Sequence, residues 1–296
     1  LLALLAAIIW VALSFTGVLS SPKLLPEGET AEVTVVEGET AQTIGASLVS
    51  AGLIANSSEF TDRVAQLDAA SQLRPGTYFF TGGDTVDEII TALMAGPQEM
   101  TFTVPEGSTL AQTAAIVDAA SGGAVSADAF IAAASDASAY AVDFPFLAEA
   151  GSSSLEGFLF PKTYDFTGLD ITADLIIRTM LDQYAIEVSG IDFDSARSTL
   201  QDRYGIEFSN YDIITMASII ERETNTDEDR ATVASVLYNR LELGIPLQSD
   251  ATTEYVVGRE VYQSDLAEDN PYNSYLNGGL TPTPICSPGI ASINAA

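Results

Sequence analysis

The sequence predicts an α+β protein behind an N-terminal membrane helix, on three observations. Leu1 to Ser20 holds no charged residue. Ala31 to Val36 alternates in polarity as a half-buried strand does, and long stretches after Leu110 repeat apolar residues at helical spacing. With 296 residues, 47% hydrophobic and 18% charged, the chain can bury a substantial core and form one to three domains.

About 20 apolar residues at a helical rise of roughly 1.5 Å match the hydrocarbon thickness of a bilayer. Leu1–Ser20 is therefore read as a transmembrane anchor. The competing reading is a secretory signal peptide, whose apolar stretch is usually about 7 to 15 residues and ends at a small-residue cleavage site. The run here is longer. It starts without Met or a basic leader, so the cytoplasmic end is expected to precede Leu1. Residues 21–30, with Pro26 and Gly28, read as a linker.

The strand Ala31–Val36 is followed by a Gly38 turn, Thr40 and an apolar helical pattern at Ile44, Leu48 and Leu53. Val104, Pro105, Glu106, Gly107, Ser108 and Thr109 precede a second such pattern, through Leu110, Ala114, Ile116 and Val117. Glycine supplies the turn dihedrals, and the hydroxyl satisfies open amides at the helix start. The repeated pattern resembles LysM-type glycan-binding modules, and equally a generic strand-turn-helix repeat in a small α+β domain. Between the copies, Arg74 to Phe80 reads as a turn into an aromatic strand and Thr85 to Met94 as a short helix. The first domain is expected over 31–103 and the second over 104–296. In the second, Leu110 to Ala150 is an Ala, Ser and Asp rich helical region, and Ile171–Tyr184 and Asp194–Tyr204 are helical supports.

Composition excludes several chemistries. With no His and one Cys, Cys286, the chain cannot supply a Ser-His-Asp triad, a Cys-His pair or the usual zinc ligand sets. Cys286 reads as a small buried hydrophobe. A net charge of −30 repels phosphate backbones, so nucleic acid is not an expected partner.

Tyr211 to Glu223 places Ile214, Ala217, Ser218 and Glu221 on one helical stripe, so Glu221 emerges from an apolar face. A carboxyl beside hydrocarbon tends to keep its proton, and a glycosidic oxygen needs such a donor. By spacing alone, the expected role of Glu221 is structural, ending the helix or pairing with Arg240, ahead of catalysis. The next helix starts near Thr226 with a capping-box-like signal and runs through Leu241, with Arg240 on its apolar side. A guanidinium there needs a partner, for which a carboxylate in the same cleft or an ordinary core-edge ion pair would serve. Leu247 to Thr252 reads as a polar loop carrying Gln248, Ser249 and Asp250. Asn270 to Tyr275 adds Tyr272 and Asn273; amides and aromatic faces suit sugars, and such loops are also ordinary surface.

Together, LEGFLFPKTYDF at Leu155–Phe166, MASIIERET at Met216–Thr224, VASVLYNRLELGIPLQSDATTEY at Val233–Tyr255, NPYNSY at Asn270–Tyr275 and PICSPGIASINAA at Pro284–Ala296 resemble the MltG/YceG family of endolytic lytic transglycosylases in order and spacing. The resemblance covers nearly everything after the linker. It implies a membrane helix, a LysM-like subdomain and a YceG-like α+β catalytic domain on the periplasmic or outer side of the cytoplasmic membrane. It also implies cleavage of the bond between N-acetylmuramic acid and N-acetylglucosamine in nascent peptidoglycan strands, ending their elongation. The resemblance makes Glu221 the catalytic residue, acid and then base, closing a 1,6-anhydro ring on the muramyl sugar. It lines the cleft with Glu156, Gln248, Ser249, Asp250, Tyr272 and Asn273, with Arg240 in support. No metal or cofactor is implied, and the implied partners are glycan strands, the membrane and cell-wall synthases. The sequence departs from the family where Ala251 and Thr281 replace prolines, which loosens those loops. The chain also stops short of the family's final aromatic strand region, so part of the catalytic domain is expected to lie beyond Ala296. The rival reading is a non-catalytic glycan-binding or scaffold protein of the cell envelope, with Glu221 as a structural acid.

Overall fold

A computed structural model describes residues 24–97 and 99–296. The expected anchor lies outside the described residues, and among those described no helix is long and apolar enough to cross a membrane. The described chain forms two compact units, residues 24–100 with Phe166–Asp170, and Thr101–Asp165 with Ile171–Ala296.

In the first unit, β1 (Thr30–Val35) leads to α1 (Ala41–Ser50) and α2 (Ser57–Gln66), and the chain returns through β2 (Gly76–Thr81) to α3 (Val86–Ala95). The two strands pair antiparallel, with Val33 opposite Tyr78. Side chains alternate across a strand, so Val33, Val35, Tyr78 and Phe80 all reach one face and are buried there. Ile44, Leu48, Phe60, Val64, Ile89, Ile90 and Leu93 from the three helices close this core. A Cβ at Gly45 would lie only 3.3 Å from the Phe60 ring, so a glycine there lets α1 and α2 approach. Phe166 donates its N–H to the Met100 carbonyl at 2.7 Å.

The second unit opens with β3 (Thr101–Thr103), which pairs antiparallel with β4 (Thr163–Asp165). Residues 101–103 therefore belong with the second unit, ahead of the Gly107 turn that suggested the boundary. Between these strands lie α4 (Leu110–Ser121), α5 (Ala127–Ala133) and two short 3-10 turns, Ala137–Ala139 and Pro145–Ala150. The two similar passages in the sequence fold alike. Gly38 and Gly107 both have positive φ, and Thr40 and Thr109 both cap their helices through reciprocal capping boxes.

Then follow α6 (Ala173–Val188), α7 (Phe193–Tyr204), α8 (Asn210–Glu223), α9 (Asp227–Glu242), α10 (Asp250–Val257) and α11 (Ile290–Ala295). The stripe read in α8 is wider than the sequence implies, because every residue from Ile213 to Ile220 is buried. A helix apolar on all sides belongs in the middle of a core. Residues of α9, α10 and α11 pack against it, and Phe158 joins it to α6 through ring contacts at 5.9 Å with Tyr211 and 5.3 Å with Tyr184.

Two local expectations are corrected. Thr226 makes no capping hydrogen bond to the start of α9; its hydroxyl donates instead to the Asp229 carboxylate at 2.6 Å. The predicted loop Leu247–Thr252 is a loop only as far as Ser249, since α10 begins at Asp250. The β-branched pair Thr252 and Thr253 hides this helix from propensity, but both are fully buried, and tertiary packing outweighs their preference.

The approach of the Leu155–Phe160 turn to α8 is set by Gly157. Its φ is +91°, and an added Cβ would lie 2.6 Å from the Pro284 ring and 3.3 Å from Ile214. Gly157→Ala is expected to cost about 2–4 kcal/mol through backbone strain plus overpacking, read as a lower denaturant midpoint at unchanged m-value.

Candidate active site

The buried run of α8 ends at Glu221, whose side chain is 6% exposed. One oxygen, Oε1, accepts from Nη2 of Arg230 at 3.3 Å, and Oε2 accepts from the backbone N–H of Gly289 at 2.9 Å. The carboxylate therefore meets a guanidinium and an amide, not the hydrocarbon that the helical stripe implies. Arg230 is itself held by Nε donation to the Ser292 hydroxyl at 2.8 Å and by an ion pair with Asp227.

The basic partner is thus Arg230 and not Arg240. Only residues 224–226 separate α8 from α9, so the first turn of α9 lies beside the last turn of α8. Ten residues along a helix is about 15 Å and a different face, which puts Arg240 elsewhere. Its Nη1 donates to the carbonyls of Pro246 (3.0 Å) and Leu247 (3.1 Å) and to Oε1 of Gln248 (2.9 Å). The sequence did carry a signal for Arg230. A cation near a helix N-terminus opposes the helix dipole and needs a specific partner.

Two further groups were missed. Glu106 brings its carboxylate against Gly289, where an added Cβ would lie 2.0 Å from Oε1. Gly289 has an ordinary φ of −73°, so its glycine is required by space and not by dihedral freedom. Burial first, and then the charge of Glu221, raises the Glu106 carboxyl above its ordinary range. Gly107 runs over the last turn of α8, where an added Cβ would lie 3.7 Å from Cγ of Glu221.

Glu156, expected in the cleft, is 2% exposed. Both its oxygens accept from the Leu110 N–H at 3.0 Å, at the open N-terminus of α4, and Oε2 also accepts from the Tyr255 hydroxyl at 3.1 Å. Burial outweighs these donors and pushes its carboxyl up to about 7. Tyr255 packs its ring 5.1 Å from that of Tyr272, whose hydroxyl meets the Thr283 hydroxyl at 2.9 Å.

The segments around Gln248 and Asn273 are brought together and laced to each other. Gln248 and Ser249 donate backbone N–H groups to the carbonyl and hydroxyl of Ser274, each at 2.9 Å. Gln248 holds a left-handed φ of +54°, and its side chain is exposed. Ser249 is buried and donates its hydroxyl to Glu223. Asp250 is exposed and accepts from the Tyr275 hydroxyl at 2.7 Å, which pushes that phenol up to about 12. Asn273, fully buried, donates to the carbonyls of Leu266 (3.0 Å) and Glu268 (2.8 Å) and shapes its own loop. Gln248, Asp250 and part of Tyr272 thus face solvent, while Glu156, Ser249 and Asn273 hold the frame.

Two cavities flank the end of α8. One, of about 240 Å³, is bordered by Glu223, Arg240 and Gln248. The other, of about 250 Å³, is bordered by Arg222, Glu254 and Tyr255, with Arg222 and Glu254 paired at 3.1 Å. A carboxyl fixed by two donors at the end of a buried helix can deliver or take a proton at one defined point.

Known proteins share this sequence and fold. The model of the YceG-like family matches residues 33–296. An endolytic murein transglycosylase of Bacillus subtilis is 32% identical over 281 residues, covering 90% of this chain and 75% of that protein. One of Streptococcus pneumoniae is 30% identical over 292 residues, covering 89% of this chain and 51% of that protein, so the chain spans about half its length. A crystal structure of a YceG-like protein from Listeria monocytogenes superposes with a TM-score of 0.57 at 28% identity, covering 90% of each chain.

Glu156 makes stability depend on pH. Its carboxyl sits at about 7 in the fold against an ordinary 4.5, so between these values the folded chain holds a proton that the unfolded chain releases. The contribution is complete below about pH 4.5 and is lost as pH rises through 7, a fall of about 3 kcal/mol. Glu156→Gln, which copies the protonated form, is expected to flatten this slope in denaturant titrations from pH 4.5 to 8.

Proposed function

The chain belongs to the YceG-like family, and we propose that it is an endolytic peptidoglycan lytic transglycosylase with Glu221 as its acid and base. The observation that carries this reading is the single carboxyl fixed by Arg230 and Gly289, in a chain that matches endolytic murein transglycosylases over 89–90% of its length.

In the proposed reaction, protonated Glu221 gives its proton to the oxygen joining N-acetylmuramic acid to N-acetylglucosamine. The bond from the muramyl C1 to that oxygen breaks as an oxocarbenium-like centre develops. The Glu221 carboxylate then takes the proton of the muramyl C6 hydroxyl while O6 bonds to C1. A 1,6-anhydro ring closes, no water is consumed, and Glu221 is protonated again. Arg230 and the Gly289 amide hold the carboxylate in place through this exchange.

Hydrolases of sugar bonds instead use two carboxyls flanking the bond, about 5–9.5 Å apart. Glu106 is a second carboxyl near Glu221, and both pack on Gly289, Glu221 at its amide and Glu106 against its Cα. In this reading Glu221 alone exchanges protons with the sugar. In this reading Gln248, Asp250 and Tyr272 contact the glycan, and Glu156, Ser249 and Asn273 shape their loops. The strand-helix-helix-strand order of the first unit supports a LysM-like glycan-binding role for it. An anchor at Leu1–Ser20 would keep the site on the extracytoplasmic side of the cytoplasmic membrane, beside nascent strands and the synthases that extend them.

Glu221→Gln is expected to lower release of 1,6-anhydro ends from purified glycan strands at least about 100-fold, by mass spectrometry. Equal release by variant and wild type would make Glu221 a structural acid and favour a scaffold role, and reducing ends would replace the lytic route with hydrolysis. Gly289→Ala is expected to reduce kcat about tenfold or more with little change in KM, since its methyl displaces Glu106 and the amide that holds Glu221.

A further inference from the structure

The cavity of about 240 Å³ beside α9 carries charge of both signs on an apolar surface. Arg240 borders it. In a chain with 41 acidic and 11 basic residues, every hydrogen bond of Arg240 goes to a neutral acceptor: two carbonyls and the Gln248 amide oxygen. All three use Nη1, whereas a guanidinium has five N–H donors in a planar fork. Among the described residues, the rest of the fork has no acceptor assigned. Glu223 borders the same cavity, exposed at the end of α8, with Oε1 taken by the Ser249 hydroxyl. Val233, Leu247 and Val236, which is 48% exposed, line the same cavity.

This combination selects by exclusion. A simple anion is drawn by Arg240 and repelled by Glu223, and a simple cation meets the reverse. A neutral apolar group would cover both charges without pairing either, which is costly. An aliphatic group carrying an ammonium and a carboxylate satisfies the acid, the fork and the apolar surface together. We infer that this cavity binds the free end of an uncross-linked peptide stem, a side chain bearing both an amine and a carboxylate. The choice of that ligand rests on the reading of the chain as a peptidoglycan enzyme. Cross-linking acylates the amine and removes its charge, so the cavity would distinguish uncross-linked from cross-linked stems.

The test is calorimetric titration of the wild-type chain with three synthetic tripeptides: one ending in a residue with a free side-chain amine and carboxylate, the same peptide acetylated on that amine, and the same peptide amidated on that carboxylate. Each modification is expected to weaken binding about tenfold. Glu223→Gln should abolish the difference made by acetylation, and Arg240→Gln the difference made by amidation. Arg240 also ties down the Pro246–Gln248 turn, so circular dichroism checks the fold of that variant; the ligand modifications test the wild type without any substitution. Equal binding of the three peptides, or no binding at millimolar concentration, would overturn the inference. If wild type still released 1,6-anhydro ends, only this cavity's role would fall. Unchanged cleavage by Glu221→Gln would sink the catalytic reading and leave the peptide discrimination to be judged on its own data.

Discussion

The second unit depends on the burial of α8 on all its faces. Eight consecutive residues, Ile213 to Ile220, have almost no solvent contact, and each large aliphatic among them contributes about 1.5–3 kcal/mol by leaving water. Such a helix requires partners on every side. Ser218, also fully buried, accepts the Ile285 N–H at 3.0 Å and so fixes the segment after Pro284 along the helix. Continuing four residues, that segment delivers the Gly289 amide to Glu221. One helix therefore sets both the core and the position of the candidate catalytic carboxyl.

Charge is arranged around this helix with economy. Of 11 basic residues in a chain of net charge −30, Arg222, Arg230 and Arg240 border the end of α8 or the cavities beside it. Each does something different. Arg230, 6% exposed, fixes the buried carboxylate; Arg222 pairs with Glu254 at a cavity mouth; Arg240 braces a turn through neutral carbonyls. Burial makes the first pairing obligatory, since a carboxylate shut from water without a partner is costly. The more exposed pair at Arg222 is screened by solvent and matters less to stability.

Glu156 shows how a motif residue can serve the site without facing it. Its carboxyl closes the N-terminus of α4 and meets Tyr255, whose ring contacts Tyr272. Two polar contacts and one ring contact thus connect the start of α4 to the Asn270–Tyr275 loop, and a satisfied buried polar group of this kind favours one arrangement of a core. The acid is held there against its desolvation, which is why it titrates near 7.

The sequence alone determined the local structure whose cause is local. The two glycine turns with their capping threonines, the alternating strand at Val33 and Val35, the aromatic strand at Tyr78 and Phe80, and the helix carrying Glu221 follow from dihedral freedom, capping and period. The order of the motifs also placed the chain in its family. Tertiary structure decided what depends on residues far apart in the chain. It chose Arg230 over Arg240 because a short connection sets two helix ends side by side. It brought Gly289 and Glu106 to Glu221 across sequence separations of 68 and 115, and it buried Thr252 and Thr253 in a helix their propensity disfavours. Period and propensity report a residue's own face and backbone, but the partner of a buried charge is fixed only when the packed core brings distant segments within hydrogen-bonding distance.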